Sequence, residues 1–334
     1  MNAYRIIGVE SSPYAVKVRA VMRYRHLPYI WVSRMPQFFA ETATVRPLIM
    51  PVVQFPDGEY RTDSTPIIHD LEALHPTTRS VIPPDPAQAY LSDLIEDMAD
   101  EWLTKCLFHY RFNHQQDRQS GAAWVIDDTH PKISATELQP LVDNFIERQT
   151  KRMPLVGCTS SNAPMIEAFY TALLDILESF VATDQFLFGT RPALADFGLF
   201  GQLNTLAIDP SAMAIMRDRA PRTTHWVRRL DDLSGVNGEW VTEFNALPSA
   251  TCELVRLAGR FYLPFLNANA KAIDDGRTEV EVELNGRPYS QPIYRYQAKC
   301  YDYLLRRYAG LPKTARTLLD PLFEKTDCLR YLDI

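Results

Sequence analysis

The order strand, helix, strand at the start of the chain constrains its fold more than any other feature of the sequence. Residues 4–9 are apolar and β-prone, which predicts a buried strand. Residues 11–13 (Ser-Ser-Pro) end that strand, and apolar residues at helical spacing predict an amphipathic helix over about 13–26. Residues 29–32 predict a second strand. Because crossover connections between parallel strands are right-handed, we expect a βαβ unit. Basic residues fall between the apolar positions of the helix: Lys17, Arg19 and Arg23.

An antiparallel hairpin and a helix complete this first unit. Residues 33–49 have no clear period and predict irregular structure. Residues 51–55 and 59–62 predict two strands, joined by the Pro-Asp-Gly turn at 56–58. Ser64 is expected to cap the helix that follows. The inner face of that helix is expected to carry four apolar residues: Ile67, Ile68, Leu71 and Leu74.

Length and composition favour further domains that are mainly helical. The chain has 334 residues, which is about two domains at roughly 150 residues each. Only 13 residues are glycine while 24 are proline, which favours helices joined by proline-containing loops. We predict an α/β domain over 1–80, a linker at 80–86, an all-helical domain over 87–240 and an extension over 248–334. The polar stretch 113–133 predicts a surface loop. Helices of the second domain are expected at about 87–112, 134–150, 163–181, 193–206 and 221–233.

The extension combines helices with one hairpin. A helix is predicted from about 249 to 272. Residues 279–284 alternate between acidic and apolar, and the Asn285-Gly286 pair that follows is a strong signal for a two-residue hairpin turn. Two more helices are expected near 294–309 and 312–324. The sequence leaves open whether the extension covers a dimer face, covers a ligand pocket or adds a new surface.

Charge and cysteine usage argue against several classes of function. The formal net charge is −6, which argues against nucleic acid as a partner. No apolar run reaches the roughly 20 residues that span a bilayer, and the first residues lack the pattern of a secretory signal. The five cysteines are scattered without a CxxC pair, which indicates free thiols in a reducing compartment. We therefore expect a cytoplasmic protein that uses no metal.

Three turns of the first unit carry groups that suit one kind of ligand. At Ser11-Ser12-Pro13-Tyr14 a helix start offers unpaired N–H groups, and a hydroxyl there can donate to a sulfur and lower its pKa. Met50-Pro51 opens a strand, where a cis bond would turn the Met50 backbone toward an extended peptide; the sequence does not fix the isomer. At the third turn, Asp63 suits an amine and Ser64 suits a carboxylate.

The chain resembles the glutathione S-transferase superfamily over residues 4 to about 235. The motifs are Ser-Pro-Tyr before a helix, Met50-Pro51-Val52-Val53, and the run from Thr62 to Ile68. This resemblance implies a thioredoxin-like N-terminal domain, an all-helical C-terminal domain, glutathione as co-substrate and a homodimer. It implies that Ser12 is catalytic, with Ser11 as a rival because the strand end is uncertain by a residue. The glutathione-binding residues that it implies are Ser12, Pro13, Tyr14, Met50, Pro51, Asp63 and Ser64.

The resemblance has a second part and some departures. Phe188-Gly189 and Leu194-Ala195-Asp196-Phe197 are similar to the family's capping box at the start of a buried helix. Ala193 stands where that box has Ser or Thr, so Asp196 is left to satisfy the N–H groups of the first turn. Ala15 stands where a glutaredoxin-like motif has its second cysteine, which excludes dithiol chemistry. The extension is not part of the family's common architecture.

Each candidate residue also has a structural interpretation. Ser12 can simply cap the helix, and Asp63 with Ser64 can be an ordinary helix start. Tyr14 fits packing in the core or at a domain interface better than acid catalysis.

The first helix of the second domain carries a dense set of polar and aromatic residues. By the resemblance this helix borders the pocket for an electrophile, with Glu101, Trp102 and His109 as candidates. The competing interpretation is a solvated charge stripe, since Asp97 and Glu101 lie one turn apart on one face. The full set is Asp97, Asp100, Glu101, Trp102, His109, Tyr110 and Arg111.

The leading hypothesis is an enzyme that binds glutathione, lowers the pKa of its thiol and conjugates the thiolate to a small electrophile. Two alternatives stay open. The chain can be an interaction scaffold without catalysis, which the incomplete cap at Ala193 and the long extension favour slightly. It can also reduce thiols or peroxides with glutathione, although a serine at the site favours activating the ligand's thiol over forming a mixed disulfide.

Overall fold

Four strands form the sheet of the N-terminal region. The computed structural model describes residues 3–76 and 78–332; residues 1, 2, 77, 333 and 334, which the predicted domains include, lie outside the described residues. The parallel pair β1–β2 and the antiparallel pairs β1–β3 and β3–β4 confirm the predicted βαβ unit and hairpin. In the order β2-β1-β3-β4, the strands are β1 (Tyr4–Gly8), β2 (Tyr29–Ser33), β3 (Val52–Gln54) and β4 (Tyr60–Thr62).

Three helices accompany this sheet: α1 (Pro13–Tyr24), α2 (Pro36–Glu41) and α3 (Ser64–Leu74). The short α2 lies in the stretch for which the sequence predicts irregular structure, so that prediction is wrong for its six residues. The predicted cap at Ser64 is also wrong, because Ser64 is the first helical residue and Asp63 holds the cap position with φ of 77°. Leu74 is exposed instead of facing inward, since α3 ends at that residue, whereas Ile67, Ile68 and Leu71 are fully buried.

The second region is helical, as predicted. A π-helical turn at Ala99–Leu103 continues α4 into α5. The helices that the sequence predicts are found within a few residues of the expected bounds, while α6 and α10 are additional. Its helices are α4 (Pro86–Met98), α5 (Thr104–Asn113), α6 (Gln115–Thr129), α7 (Ala135–Arg152), α8 (Ala163–Phe180), α9 (Leu194–Leu206), α10 (Pro210–Arg219) and α11 (Pro221–Leu230).

Helix α6 replaces the predicted surface loop. It lacks apolar periodicity because only a few of its residues are buried, and tertiary contacts hold it in place. A Cβ at Gly121 would lie 2.7 Å from the Cγ of Arg111, so glycine permits the close approach of α6 to α5. The other unpredicted helix, α10, begins at Asp209-Pro210, a helix-start signal that was available in the sequence.

Helix α1 is buried on nearly all sides, because α9 and α3 both pack on it. Lys17 is fully buried and Arg19 nearly so, which corrects the prediction of an amphipathic helix for these two residues. A Cβ on Gly201 of α9 would lie 2.6 Å from the backbone oxygen of Pro13, so glycine permits this close contact. The start of α1 is thus fixed against the helical region.

The first turn of α9 is capped by Asp196. This buried carboxylate accepts hydrogen bonds from the N–H groups of Ala193 at 2.8 Å and Leu187 at 3.1 Å. Burial raises the pKa of Asp196 to about 7, although the two N–H donors act in the opposite direction. Asp196 therefore makes the half of the capping box that remains possible with alanine at position 193.

The extension packs on the helical region as a further layer. Its hairpin turns at Asn285-Gly286 as predicted, and α12, α14 and α15 all contact α4. A π-helical turn at Ala258–Tyr262 joins α12 to α13. Its elements are α12 (Ser249–Leu257), α13 (Leu263–Asp274), β5 (Glu279–Leu284), β6 (Arg287–Pro292), α14 (Arg295–Ala309), α15 (Lys313–Lys325) and α16 (Leu329–Leu332).

One hydrophobic core continues through all three regions. Trp102 of the helical region packs its ring against Phe265 and Tyr289 of the extension, with centroid distances of 5.3 and 5.5 Å. Burial of aromatic rings of this size dominates the energetics of such a contact. The extension is therefore part of the folded core. Among the described residues, no helix combines the length and apolarity needed to cross a membrane.

Candidate functional site

A cavity of about 1390 Å³ lies where the N-terminal region, the helical region and the extension meet. Its walls include the start of α1, the loop before β3, the start of α3, and parts of α4 to α7 and α14. It is larger than the roughly 300–1,000 Å³ of typical small-molecule sites. The three turns singled out in the sequence therefore face one space. The predicted residues that line it are Ser11, Ser12, Pro13, Tyr14, Met50, Asp63, Ser64 and Glu101.

Ser11 and Ser12 lie at the turn between β1 and α1, here called the serine corner, and hydrogen bonds with the helical region fix this turn. The backbone N–H of Ser11 donates to Oδ2 of Asp128 at 3.0 Å, and Nη1 of Arg111 donates to the backbone oxygen of Ser11 at 3.3 Å. Asp128 belongs to α6 and Arg111 to α5. Sequence reasoning missed this role of Asp128 because it predicted a loop there.

Ser12 caps α1, as its structural interpretation expects. Its Oγ accepts a hydrogen bond from the N–H of Ala15 at 3.4 Å. A hydroxyl has one donor and two acceptor sites, so this cap leaves the O–H hydrogen free to donate. Capping and donation to a ligand's sulfur are therefore compatible roles for Ser12.

The second turn carries a cis peptide bond. Met50-Pro51 is cis, which answers the question that the sequence left open. Met50 lines the cavity, whereas Pro51 is buried at the start of the sheet and does not.

The third turn meets the extension. Asp63 has a positive φ and accepts a hydrogen bond through Oδ2 from the hydroxyl of Tyr296 at 2.5 Å. Ser64 is buried, and its Oγ donates to Oδ2 of Asp100 at 3.4 Å. The side chains of this turn therefore contact both α14 and the π-helical turn that follows α4.

Acidic residues of α4 and the π-helical turn form one wall of the cavity. The alternative of a solvated charge stripe is wrong, because Asp100 is buried, Asp97 and Glu101 are only partly exposed, and all three line the cavity. Lys17 forms ion pairs with Asp100 and with the buried Glu96, at 2.6 Å to Glu96. Burial alone would lower the pKa of Lys17, but the two carboxylates raise it. Burial also raises the pKa of Glu101 to about 7.

The extension supplies hydrogen-bond donors to this acidic wall. The hydroxyl of Tyr262 donates to Oδ2 of Asp97 at 2.6 Å, and Nη2 of Arg307 donates to Oδ2 of Asp93 at 2.7 Å. Buried carboxylates are costly unless they receive such bonds. The donors of the extension therefore offset part of the free-energy cost of burying these carboxylates.

A second wall of the cavity is apolar and basic. It is formed by α5, α6 and α7, whose apolar side chains there include Phe108, Phe112, Ile126, Leu141 and Phe145. Arg148 and Arg152 also line it, and neither forms an ion pair among the described residues. An apolar molecule, or one with an anionic group, suits this wall.

Two candidates for the electrophile pocket lie elsewhere. Trp102 is in the hydrophobic core, and His109 is buried with its Nε2 3.0 Å from Oε1 of Glu167. Neither lines the cavity. Helical spacing alone could not reveal this, because α4 and α5 are covered on several sides by other helices.

Tyr14 lines the cavity, but its hydroxyl points to protein. It donates to the backbone oxygen of Asp100 at 2.9 Å. Burial raises the pKa of Tyr14 well above its ordinary value. The phenol therefore ties α1 to the helical region, which agrees with the packing interpretation.

A comparison with protein families identifies the N-terminal domain. Residues 6–79 match the model described as the N-terminal domain of glutathione S-transferases. The match covers this domain alone, and it agrees with the resemblance that the sequence motifs carry. The thioredoxin-like sheet and the helical region that follows confirm the predicted fold class. A comparison with curated proteins finds no match.

Solved structures of glutathione S-transferases and related enzymes resemble the chain at low identity. The β-etherase LigF from Sphingobium sp. strain SYK-6 is 19% identical, with 76% of this chain and 98% of that chain covered and a TM-score of 0.48. A glutathione S-transferase from Methylobacterium radiotolerans JCM 2831, in complex with glutathione sulfonate, is 22% identical, with 72% and 97% covered and a TM-score of 0.46.

The helical region and the extension supply site residues that the sequence did not reveal. Asp128 and Arg111 hold the serine corner, and Tyr296 contacts Asp63. No local sequence pattern marks Asp128 or Tyr296, since each reaches the site only through tertiary packing. Within the described residues, no group of three or more His, Cys, Asp or Glu side chains is arranged to hold a metal.

Proposed function

We propose that the cavity binds glutathione and activates its thiol for transfer to a small electrophile. The observation that carries the proposal is that the serine corner, Met50 and the Asp63-Ser64 turn line one cavity. The γ-glutamyl end would lie at Asp63 and Ser64, and the cysteinyl part would lie along Met50. The sulfur would then face the start of α1.

The serine corner needs to lower the pKa of the bound thiol only moderately. The start of α1 favours an anion, and the free O–H of Ser12 can donate to a thiolate. A shift of one pKa unit corresponds to about 1.4 kcal/mol, which a hydrogen bond to a charged group can supply. Ser11 stays the rival, since it lines the same cavity and is also buried.

The electrophile would lie against the wall of α5, α6 and α7. That wall supplies aromatic and aliphatic side chains together with Arg148 and Arg152. We expect an aromatic or aliphatic electrophile, with better turnover when it carries a carboxylate.

Replacing each serine tests the proposal. Ser12→Ala should lower the turnover of a halodinitrobenzene with glutathione by about tenfold, since the thiolate loses one charge-assisted hydrogen bond. Glutathione affinity, measured by calorimetry, should largely survive. Ser11→Ala is the matched variant. Unchanged turnover in Ser12→Ala together with a loss in Ser11→Ala would assign activation to Ser11, and unchanged turnover in both would contradict activation by a serine.

A non-catalytic interaction protein is the second candidate. The observation that favours it is the long extension, which packs on the helical region and adds surface beyond residue 247. Saturable binding of glutathione with turnover supports the enzyme, and absence of binding supports the interaction protein.

A homodimer and a cytoplasmic location remain predictions. Size-exclusion chromatography with light scattering tests whether the chain is a homodimer.

A further inference from the structure

Helix α14 of the extension is fixed along the acidic wall by contacts at both ends. Asn269 exchanges hydrogen bonds with the backbone of Tyr294, at 2.9 and 2.8 Å, just before the helix. Nε2 of Gln297 donates to the backbone oxygen of Glu101 at 3.0 Å, and Arg307 pairs with Asp93 near the other end. The position of Tyr296 between these contacts is therefore set by the fold.

Tyr296 directs its hydroxyl at the carboxylate of Asp63. The hydroxyl donates to Oδ2 at 2.5 Å, and among the described residues no cation or second donor contacts this carboxylate. Glu101 and Cys300 also lie near the phenol, and Lys299 of the same helix lines the cavity with it. Burial and the negative charge of Asp63 raise the pKa of Tyr296, so the phenol remains a donor. Tyr296 is 37% exposed, which puts it where an entering ligand can reach.

The carboxylate of Asp63 retains capacity for a ligand. An ionised carboxylate has about four acceptor sites, of which Tyr296 uses one. Glu101 and Lys299 line the same cavity, and among the described residues no cation pairs with Asp63. A ligand's ammonium group would supply the missing positive charge, whereas a neutral or acidic group would not.

We propose that Tyr296 is a positioning residue that holds Asp63 toward the cavity for the primary amine of the ligand. This inference rests on the proposed function, because the amine in question is that of glutathione's γ-glutamyl end. It assigns a binding role to the extension: α14 completes the amine-binding end of a site whose other residues come from the N-terminal domain.

Calorimetric titration with two ligands tests this assignment. The ligands are glutathione and its deamino analogue, in which a glutaryl group replaces the γ-glutamyl group and the amine is absent. The test variant is Tyr296→Phe. The matched control is Tyr301→Phe, whose lost hydroxyl donates to the backbone oxygen of Tyr331 within the extension, away from Asp63.

We expect Tyr296→Phe to bind glutathione about tenfold more weakly than the wild type, because the carboxylate of Asp63 must then be ordered when the amine binds. Its affinity for the deamino analogue should stay the same, and Tyr301→Phe should bind both ligands as the wild type does. In a double-mutant cycle with Asp63→Asn, the two losses of glutathione affinity should not add.

Other outcomes overturn the assignment in distinguishable ways. If the wild type binds no glutathione, both the proposed function and this inference fail. If the wild type binds but Tyr296→Phe weakens both ligands equally, or Tyr301→Phe matches its loss, the role of the hydroxyl is structural and only the inference fails. Tighter binding of glutathione by Tyr296→Phe would show that the phenol competes with the amine, which also contradicts the inference.

Discussion

Two segments of the chain line the cavity, and they are attached in different ways. The α6–α7 pair has a small core of its own, formed by Ala122, Ile126 and Val142. Of the 18 residues of α7, Val142 alone is buried. The extension instead shares the main core, in which Tyr262 and Phe265 are fully buried. One wall rests on few contacts, and the other is part of the core.

This difference in attachment indicates which kind of ligand each wall suits. A wall with its own small core opens at low free-energy cost, which suits a surface that contacts electrophiles of varied shape. A wall continuous with the main core keeps its donors at fixed positions, which suits recognition of one constant group. Under the proposed function, the variable electrophile would lie against α6–α7, and the constant glutathione would meet the side of the extension.

Hydrogen exchange should separate the two walls by the largest margin. Amides of α7 are expected to exchange roughly a thousandfold faster than those of α13, because opening α7 exposes few apolar contacts while opening α13 disrupts the main core. Mass-spectrometric exchange on peptides from each helix measures this difference. Equal protection of the two helices would contradict the comparison.

Truncating one phenylalanine in each wall should give unequal losses of stability. Phe265→Ala removes a buried ring that packs on Trp102 and Tyr289, and should lower the free energy of unfolding by about 3–5 kcal/mol. Phe145→Ala in α7, where the ring is only partly buried, should cost about 1 kcal/mol or less. Urea denaturation measures both values. Similar losses would show that α6–α7 is as firmly integrated as the extension.

The smallest predicted change in stability comes from replacing a buried lysine that contacts the extension, and this change depends on pH. Lys105 is buried and contacts Oε1 of Gln291 at 2.7 Å. Burial lowers its pKa from 10.5 to about 8. Below pH 8 the ammonium is charged in both the folded and unfolded states, so the folded state bears the full cost of burying it. Between pH 8 and 10.5 that cost disappears, because the folded state releases the proton first.

Lys105→Met should therefore stabilise the protein by about 1–3 kcal/mol at pH 7, and by less as the pH rises above 8. Denaturation at several pH values measures the change. Lys151→Met is the control, since Lys151 lies exposed on α7 beside Glu147 and should change little. A loss of stability in Lys105→Met at pH 7 would mean that the hydrogen bonds of the ammonium outweigh its desolvation.

The N-terminal domain could be predicted from sequence because its signals are local. The β1–α1–β2 order and the turn at 56–58 each follow from neighbouring residues. Asn285-Gly286 likewise fixed the hairpin of the extension. Where other helices cover an element, its local sequence pattern does not predict which of its residues are buried. Lys17 reads as a surface residue but is buried under α9, and Glu96 is buried on a helix that reads as polar.

The candidate site divides in the same way. The serine corner, Met50 and Asp63 were predictable because each lies at a turn with a recognisable motif. The placement of Trp102 in the core and the contact of Tyr296 with Asp63 depend on residues more than a hundred positions away. Pairings at such distances leave no local periodic signal. Gly121 shows the same limit. The glycine is explained by the side chain of Arg111 on the adjacent helix and not by its neighbours in the sequence.

A crystal structure of the chain with glutathione bound would test the central claim most directly. The account predicts glutathione in the cavity, with its sulfur within hydrogen-bond distance of the hydroxyl of Ser12 or Ser11. It also predicts the cysteinyl backbone beside Met50 and the γ-glutamyl amine on Asp63. Glutathione bound elsewhere, or a cavity that stays empty at saturating glutathione, would contradict the account.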